Sequence, residues 1–281
     1  MFEHYLITRF NLRNPKWNVT KNNELLLTEE WMEDRIELFR NYCLPSVMAQ
    51  NNQNFKWLLY LDTTTSDKNR ALISELVLPF SRIEVFYIDG MPNLIDSIKE
   101  YVTTNCNSEY IITSRIDNDD SISKHFIEEV QQHFKQQDFH AIDFISGYTL
   151  NIKPCMIGKK EHIFNPFISL IEKNENPKTV WFNDHNHWKK ESRITQIQDK
   201  RVWMSVIHEK NKVNEFDGYG NIQWSKLQNE FILSDAINTY ISQNLVPFKE
   251  WWFLSLKNKG YVKMVLFSKQ FKKAIGLYRL K

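Results

Sequence analysis

The chain has 281 residues, of which 42% are hydrophobic and 25% are charged, and its formal net charge is +2. These values are typical of a soluble globular protein and exclude an intrinsically disordered chain. The length allows one large α/β domain, or one domain with an extension.

The cysteines and the lengths of the apolar segments indicate the cellular location of the protein. Cys43, Cys106 and Cys155 are odd in number, far apart and outside any metal-ligand spacing, so we expect reduced thiols, with Cys43 in the core. The first residues lack the basic and apolar regions of a signal peptide, and no run approaches the ~18 apolar residues of a membrane span. We therefore expect a cytoplasmic protein that is neither exported nor integral to the membrane.

Strand and helix patterns alternate through the first 120 residues. A first strand is predicted at 5–10, and a helix from Thr28, which is a suitable N-cap. Further strands are predicted at 55–61, at 83–88 and from Tyr110, with helices at 68–77 and 93–104 between them. Alternation of this kind predicts an α/β fold with a mostly parallel sheet flanked by helices.

The second half has a weaker pattern. A helix capped by Ser121 or Ser123 is predicted to run to about His133, followed by a strand at 141–149. From 151 to 230 aromatic and polar residues are mixed without a clear period. We predict one domain over 1–248, with halves of about 1–120 and 121–248, and a basic helical extension over 249–281.

An acidic cluster follows the apolar run that begins at Tyr110. Asp117, Asp119 and Asp120 lie within four residues, and like charges this close raise one another's pKa unless a cation neutralises them. Mg²⁺ and Mn²⁺ prefer such oxygen ligands and share them with substrate phosphates. Open α/β sheets bind ligands beyond the carboxyl ends of their strands. The cluster therefore predicts a metal–diphosphate site, the alternative being a solvated turn whose acids cap the next helix.

The arrangement resembles the GT-A glycosyltransferase fold, in which an acidic motif ends a nucleotide-binding half and an acceptor-binding half follows. Asp117-Asn118-Asp119 matches the Asp-x-Asp signature of that fold. The chain also resembles the bacterial family named putative rhamnosyl transferases, over about residues 5–215. The segments that carry this likeness are 6–11, 43–47 with Gln50, 55–62, 115–120 and 203–208.

The resemblance implies roles for the acidic cluster. Asp119 would ligate a divalent cation, Mn²⁺ or Mg²⁺, that bridges the diphosphate. Asp117 would contact the ribose or the water shell of the metal, and Asp120 would support them or face the donor sugar. His208 is the best candidate for the histidine that completes the metal shell in many GT-A enzymes; a hydrogen-bonded rim residue is the alternative.

The resemblance also implies donor contacts. Arg9 and Asp62 stand where such enzymes hold the nucleotide base and phosphates, and Arg115 is placed to neutralise phosphate charge or to pair with the acids. Arg35, on the same helix face as Trp31 and Phe39, is interpreted as a structural residue that snorkels or forms an ion pair, rather than as a substrate ligand.

Candidates on the acceptor side are weaker. If the enzyme inverts, a carboxylate takes the proton of the acceptor hydroxyl, and Asp184 is nominated, although the sequence does not separate it from Glu209 or Asp217. Trp181 and Trp188 lie in a polar context, which favours them for acceptor contact.

Charge is unevenly distributed. From Lys249 onward there are nine Lys or Arg and one acid, which gives +8, whereas the first 248 residues carry −6. Met264, Phe267, Phe271 and Ile275, with Tyr278, fall on one helical stripe. Such a helix either lies on an anionic membrane at the cytoplasmic face or docks its stripe on the domain.

The leading hypothesis is a metal-dependent glycosyltransferase that moves a sugar, with rhamnose as the suggested sugar, from a nucleotide-diphosphate donor. The acceptor would be a surface glycan or a lipid-linked glycan. One alternative is a metal-dependent phosphodiesterase or nuclease, which would need a basic groove near the acids rather than in the tail. A second is a non-catalytic glycan-binding assembly protein.

Overall fold

The computed structural model describes residues 1–14, 27–183, 185–211 and 215–279. Within these residues nine strands form one sheet in the order β3-β2-β1-β4-β8-β6-β9-β5, with β7 paired to β6. The strands are β1 (Phe2–Arg9), β2 (Lys56–Asp62), β3 (Ile83–Ile88), β4 (Tyr110–Arg115), β5 (Ser121–Ile122), β6 (Phe139–Asn151), β7 (Met156–Glu161), β8 (Ser169–Lys173) and β9 (Ile194–Ile207).

The sheet is mixed, which corrects the expectation that it is mostly parallel. β3, β2, β1 and β4 are parallel neighbours, as the alternation of strands and helices predicted. β8 runs antiparallel to both β4 and β6, and β7 to β6. The α/β class is confirmed, with a parallel half before the acidic loop. The antiparallel strands of the second half were not predicted, because the hydrophobic pattern of residues 151–230 is irregular.

Helices cover both faces of the sheet. The α-helices are α1 (Glu29–Leu38), α2 (Leu44–Met48), α3 (Asp67–Val77), α4 (Leu94–Asn105), α5 (Phe126–Gln131), α6 (Trp224–Leu227), α7 (Asp235–Asn244) and α8 (Phe248–Ala274), and a π-helical segment (Phe39–Cys43) joins α1 to α2. As predicted, the Thr28 side chain caps α1 by accepting a hydrogen bond from the backbone N–H of Trp31. Alternate residues of each strand face the two helical layers, so the core has two main parts.

Neither of the two predicted caps, Ser121 or Ser123, is the N-cap of the helix, which is His125. Ser121 and Ile122 form β5, which pairs with Met204 and Trp203 of β9, and α5 begins only at Phe126. Pairing with β9 satisfies the backbone groups of Ser121 and Ile122 themselves, which favours the strand at these two residues.

A close approach inside the sheet requires glycine. The Trp203 ring lies where a Cβ on Gly147 would stand. The ring is held by a hydrogen bond from its Nε1 to the Phe144 carbonyl and by stacking on Phe167 at 5.1 Å between centroids. Residue 147 must therefore lack a side chain for β6 and β9 to pair here.

Helix α8 begins at Phe248, beside the predicted boundary between the domain and its extension; that division remains a prediction. Trp251, Val262 and Leu266 are buried, so one face of α8 packs on the rest of the protein. All three cysteines are free and buried. Across the described ranges, no helix combines the length and apolar character needed to span a bilayer.

Candidate active site

The acidic loop lies at the carboxyl end of β4, beside the end of β1. The Ile116 N–H donates to the Ile7 carbonyl, and the Asp120 N–H turns back to the Asp117 carbonyl at 3.2 Å. Asp119 and Asp120 are buried, whereas the Asp117 side chain is 28% exposed. The loop thus presents Asp117 to solvent and holds the other two carboxylates inside.

Asp119 is compensated by two groups from distant elements. Arg35 of α1 donates from Nη1 to Asp119 Oδ2 at 2.5 Å, and His208 Nε2 lies 3.0 Å from the same oxygen. Burial by itself raises the pKa of Asp119, but the charge of Arg35 and the hydrogen bond from His208 outweigh it, so this pKa lies well below its usual range. Asp119 is therefore a carboxylate at neutral pH.

His208 reaches this position from the end of β9. The Val206 N–H donates to Asp120 Oδ1 at 2.9 Å, which joins the acidic loop to β9. The His208 N–H donates to Asn211 Oδ1 at 2.6 Å, and that fixes the turn after the strand. The structure thus brings together Asp119 and the histidine that the sequence nominated 89 positions away.

Asp120 has a different environment. Burial first, and then the neighbouring carboxylates of Asp119 and Asp117, raise the pKa of Asp120 well above its usual range. Its hydrogen bond from Val206 gives it a supporting role in the loop.

The protein supplies only part of the ligand set that a divalent cation needs. In the ranges that the structure describes, no three His, Cys, Asp or Glu side chains are grouped to hold a metal ion. Asp119 and His208 nonetheless offer an oxygen and a nitrogen donor 3.0 Å apart. Cations at phosphate-transfer sites are commonly held by one or two protein ligands together with substrate phosphates and water. The pair therefore fits Mn²⁺ or Mg²⁺ bound with a diphosphate.

Two arginines and a tryptophan lie beside the acidic loop, and we name them the rim; Arg115 and Trp181 are 3% and 6% exposed, and the Arg9 side chain is 24% exposed. The Arg115 guanidinium stacks over the Trp181 ring at 3.9 Å, and that of Arg9 lies 5.4 Å from the ring centroid. Arg9 Nε is 3.8 Å from Asp117 Oδ1. A hydrogen bond from the Val180 N–H to Thr113 Oγ1 fixes the turn that carries Trp181 onto β4. Positive charge therefore adjoins the acidic loop, as a diphosphate requires.

Asp62 has structural partners. It is fully buried, and its Oδ1 accepts from Arg13 Nε and from Thr64, while its Oδ2 accepts from the Arg13 N–H. Burial raises the pKa of Asp62, but these hydrogen bonds outweigh it, so the pKa lies below its usual value. Asp62 thus ties the segment after β1 to the end of β2, and its predicted contact with a nucleotide remains a prediction.

The family of the chain follows from a comparison with protein-family models. Residues 3–218 match the model described as "Putative rhamnosyl transferase". The chain belongs to this family. The resemblance to this family that the motifs of the chain indicated is therefore confirmed. No curated protein sequence matches it.

Solved structures similar to this family member include TarS 1–349 and a mannosyltransferase. The structure of Staphylococcus aureus TarS 1–349 is 12% identical with a TM-score of 0.40, and the match covers 73% of this chain and 60% of that one. The mannosyltransferase PcManGT from Pyrobaculum calidifontis, in complex with GDP-Man and Mn²⁺, is 6% identical with a TM-score of 0.44, covering 99% and 85%. The chain thus spans less than two thirds of the first TarS structure, and the family assignment depends on the sequence match alone.

The remaining acceptor-side candidates lie in different environments. Asp184 lies outside the described residues. Asp217 forms an ion pair with Lys160 at 2.9 Å. Trp188 is fully buried and stacks on Phe139, so it belongs to the core and the expected acceptor contact is wrong for it. Of the two nominated tryptophans only Trp181 adjoins the site.

Arg35 is the paired structural residue that the sequence predicted, and the structure gives it a place in the site. It lies 5.1 Å over the Trp31 ring, as a structural arginine would, but its guanidinium also reaches Asp119 and Asn118. The available signal was a charged residue on the buried face of α1, since buried charges require a partner. Which carboxylate provides that partner is decided by the packing of α1 against the acidic loop.

Proposed function

We propose that this family member transfers a sugar, with rhamnose as the first candidate, from a nucleotide-diphosphate sugar to a surface-glycan or lipid-linked acceptor. The observation that carries the proposal is the pairing of Asp119 with His208 beside the arginine-lined rim. This arrangement combines two cation donors with groups that bind phosphate. Both parts lie at the carboxyl ends of strands, the usual position of nucleotide sites in α/β folds.

Asp119 and His208 would hold the cation, Mn²⁺ or Mg²⁺, and Asp117 would reach the ribose or a metal-bound water. The partial exposure of Asp117 supports its role at the surface of the cleft. The cation, when bound, stabilises the negative charge that develops on the leaving nucleoside diphosphate. His208 would bind it as a neutral imidazole with the proton on Nδ1, because the Nε2 that donates to Asp119 needs a free lone pair to ligate a cation.

Arg9 and Arg115 would bind the diphosphate of the donor. Their guanidinium groups lie against the ring of Trp181, which is 6% exposed and orients them. Asp62 would contribute indirectly, by holding the segment after β1 in place. Positive groups fixed before the donor arrives need no reorganisation when charge develops on the leaving group.

Asp184 is proposed as the base that accepts the proton of the acceptor hydroxyl, and Asp120 as support for the donor-sugar side of the loop. Asp184 rests on sequence alone. Loss of transfer in Asp184→Asn, with nucleotide binding retained, is the result expected of a base. A variant that keeps full transfer activity would exclude that role.

The acceptor side of the proposal includes a cytoplasmic location. Contact of residues 249–281 with the inner face of the membrane would bring the site to a lipid-linked acceptor. The concentration of positive charge in this segment supports the contact.

A thermal-shift panel tests the donor class. UDP, GDP, dTDP and CMP are compared with and without Mn²⁺ on the wild type, Asp119→Asn and Asp138→Asn, the last being a control because the Asp138 side chain is 82% exposed. Saturation at ~100 times Kd adds about 2.7 kcal/mol of stability, which corresponds to about 5 °C. We expect one nucleotide to give this shift with Mn²⁺ in the wild type and the control, but not in Asp119→Asn.

Absence of a shift with every nucleotide would contradict the proposal. A nucleotide that is released from its sugar only when a glycan acceptor is present would identify a transferase. Metal-dependent cleavage of a phosphodiester without acceptor would identify the hydrolase instead.

A further inference from the structure

Helix α8 is fixed to the domain along one face. Ser255 Oγ accepts a hydrogen bond from the Gly220 N–H at 2.8 Å, and Asn258 Nδ2 donates to the Gly218 carbonyl at 3.0 Å. Trp251, with Val262 and Leu266, fills the apolar part of this contact. The helix therefore has a defined orientation, and its opposite side always points away from the protein.

The opposite side is apolar and exposed. Phe253, Leu256, Met264, Phe267 and Phe271 are between 53% and 71% exposed, and we name them the outward face of α8. At 100° per residue they form one stripe, which extends over about 27 Å at 1.5 Å per residue. It contains most of the stripe predicted from the sequence, so the alternative that this stripe docks on the domain is wrong. Contiguous exposed apolar surface of this size marks an interaction site.

Positive charge borders the outward face. Lys249, Lys257, Lys259, Lys263 and Lys272 are exposed on the same helix. The helix contains one acid, Glu250, in its first turn. Lysines around an apolar stripe match an anionic lipid surface, where the apolar side chains enter the interface and the ammonium groups meet phosphates. A second copy packed stripe against stripe would instead bring lysines against lysines, which is unfavourable.

We propose that the outward face of α8 docks this protein on an anionic membrane surface, with the helix axis parallel to the bilayer. This proposal specifies the membrane contact of the proposed function, and it rests on that function for the biological role of docking. The binding to lipid itself depends only on α8. Since α8 is fixed through Ser255 and Asn258, docking sets the orientation of the whole domain relative to the lipid.

The test is sedimentation of the full chain with vesicles. Phosphatidylcholine vesicles are compared with vesicles that contain 30% phosphatidylglycerol, at low and high salt. We expect the wild type to bind the anionic vesicles at least tenfold more tightly, with the preference reduced at high salt. Phe267→Ser/Phe271→Ser should lose at least tenfold in binding, and Lys257→Glu/Lys259→Glu should abolish the preference for anionic lipid.

The matched control is Leu78→Ser, which removes an 83% exposed leucine at the end of α3. It should bind vesicles like the wild type. Unchanged binding in Phe267→Ser/Phe271→Ser, or no binding by the wild type, would overturn the proposal. A concentration-dependent dimer that Phe267→Ser/Phe271→Ser dissociates would also overturn it, because a second copy of the chain would then cover the outward face of α8.

The nucleotide shift separates this proposal from the proposed function. Both α8 variants should keep the wild-type nucleotide response, since their side chains lie outside the site. Vesicle binding without any nucleotide response would leave docking intact and remove the donor assignment. A nucleotide response without vesicle binding would support the donor assignment and exclude docking on the membrane.

Discussion

Arg35 and Asp119 are 84 positions apart in sequence and form an ion pair with 2.5 Å between Nη1 and Oδ2. The two side chains are only 13% and 11% exposed. A cationic guanidinium thus lies against the carboxylate proposed to bind a cation. The charge of Asp119 is compensated by α1 before any ligand arrives, and a cation at this carboxylate would share it with Arg35.

Arg35→Met should raise the affinity for Mn²⁺ alone by about tenfold, because it removes a positive charge a few ångströms from the proposed site. It should also lower the free energy of unfolding by about 3 kcal/mol, since a buried pair loses one partner. Calorimetric titration with Mn²⁺ and urea denaturation measure the two effects. Arg40→Met, at a largely exposed arginine, is the control. Equal Mn²⁺ affinities in all three proteins would show that Arg35 does not compete with the cation.

Trp181→Leu should weaken binding of the active nucleoside diphosphate by about three- to thirtyfold, because Arg115 loses the ring that orients it and a cation–π contact contributes about 0.5–2 kcal/mol. Trp181→Phe should recover most of the affinity. Trp188→Phe, in the core, should lower stability without changing this affinity. Titration of each variant with the nucleotide provides the measurement, and an unchanged affinity in Trp181→Leu would remove the rim from the donor site.

Asp143 should make stability depend on pH. Burial raises its pKa to about 7, although it accepts hydrogen bonds from the Phe164 N–H and from Asn165. In the unfolded chain the carboxyl titrates near pH 4, so between pH 4 and 7 the folded protein retains a proton that the unfolded chain releases. The free energy of unfolding should therefore fall as pH rises, by up to about 1.4 kcal/mol per pH unit from this group.

Urea denaturation at pH 5, 6 and 7 measures this dependence. The contribution should be absent in Asp143→Asn and retained in Asp138→Asn, in which the substituted side chain is exposed. Parallel pH profiles of the wild type and Asp143→Asn would show that Asp143 is ionised in the folded protein.

Gly147→Ala and Gly260→Ala should have opposite effects. A methyl group at 147 would overlap the fixed Trp203 ring, and overpacking of this kind costs about 3 kcal/mol. At 260 nothing lies within 4 Å of the new Cβ, so alanine should stabilise α8 by about 1 kcal/mol through its higher helix propensity. Denaturant unfolding of both variants measures the difference, and a neutral Gly147→Ala would mean that Trp203 can move.

Much of the first half could be predicted because its signals are local. The strand at 83–88 has the predicted bounds, and α3 and α4 begin or end within one residue of theirs. The antiparallel strands β7 and β8 were missed because pairing between distant segments leaves little trace in local periodicity. Ser121 shows the same limit, since its sequence context favours a cap and its partner in β9 makes it a strand.

The sequence by itself determined which chemical groups the protein carries: an acidic loop after a buried strand, a histidine after another, and a basic helix with an apolar stripe. These follow from residue type and spacing along the chain. Only the tertiary structure decided that Arg35 joins Asp119 and His208, and that the stripe of α8 faces outward. It also decided that Trp181 contacts Arg9 and Arg115, whereas Trp188 in the same core cluster stacks on Phe139. Contacts between residues far apart in sequence depend on how whole elements pack, and packing is a property of the folded chain rather than of any one segment.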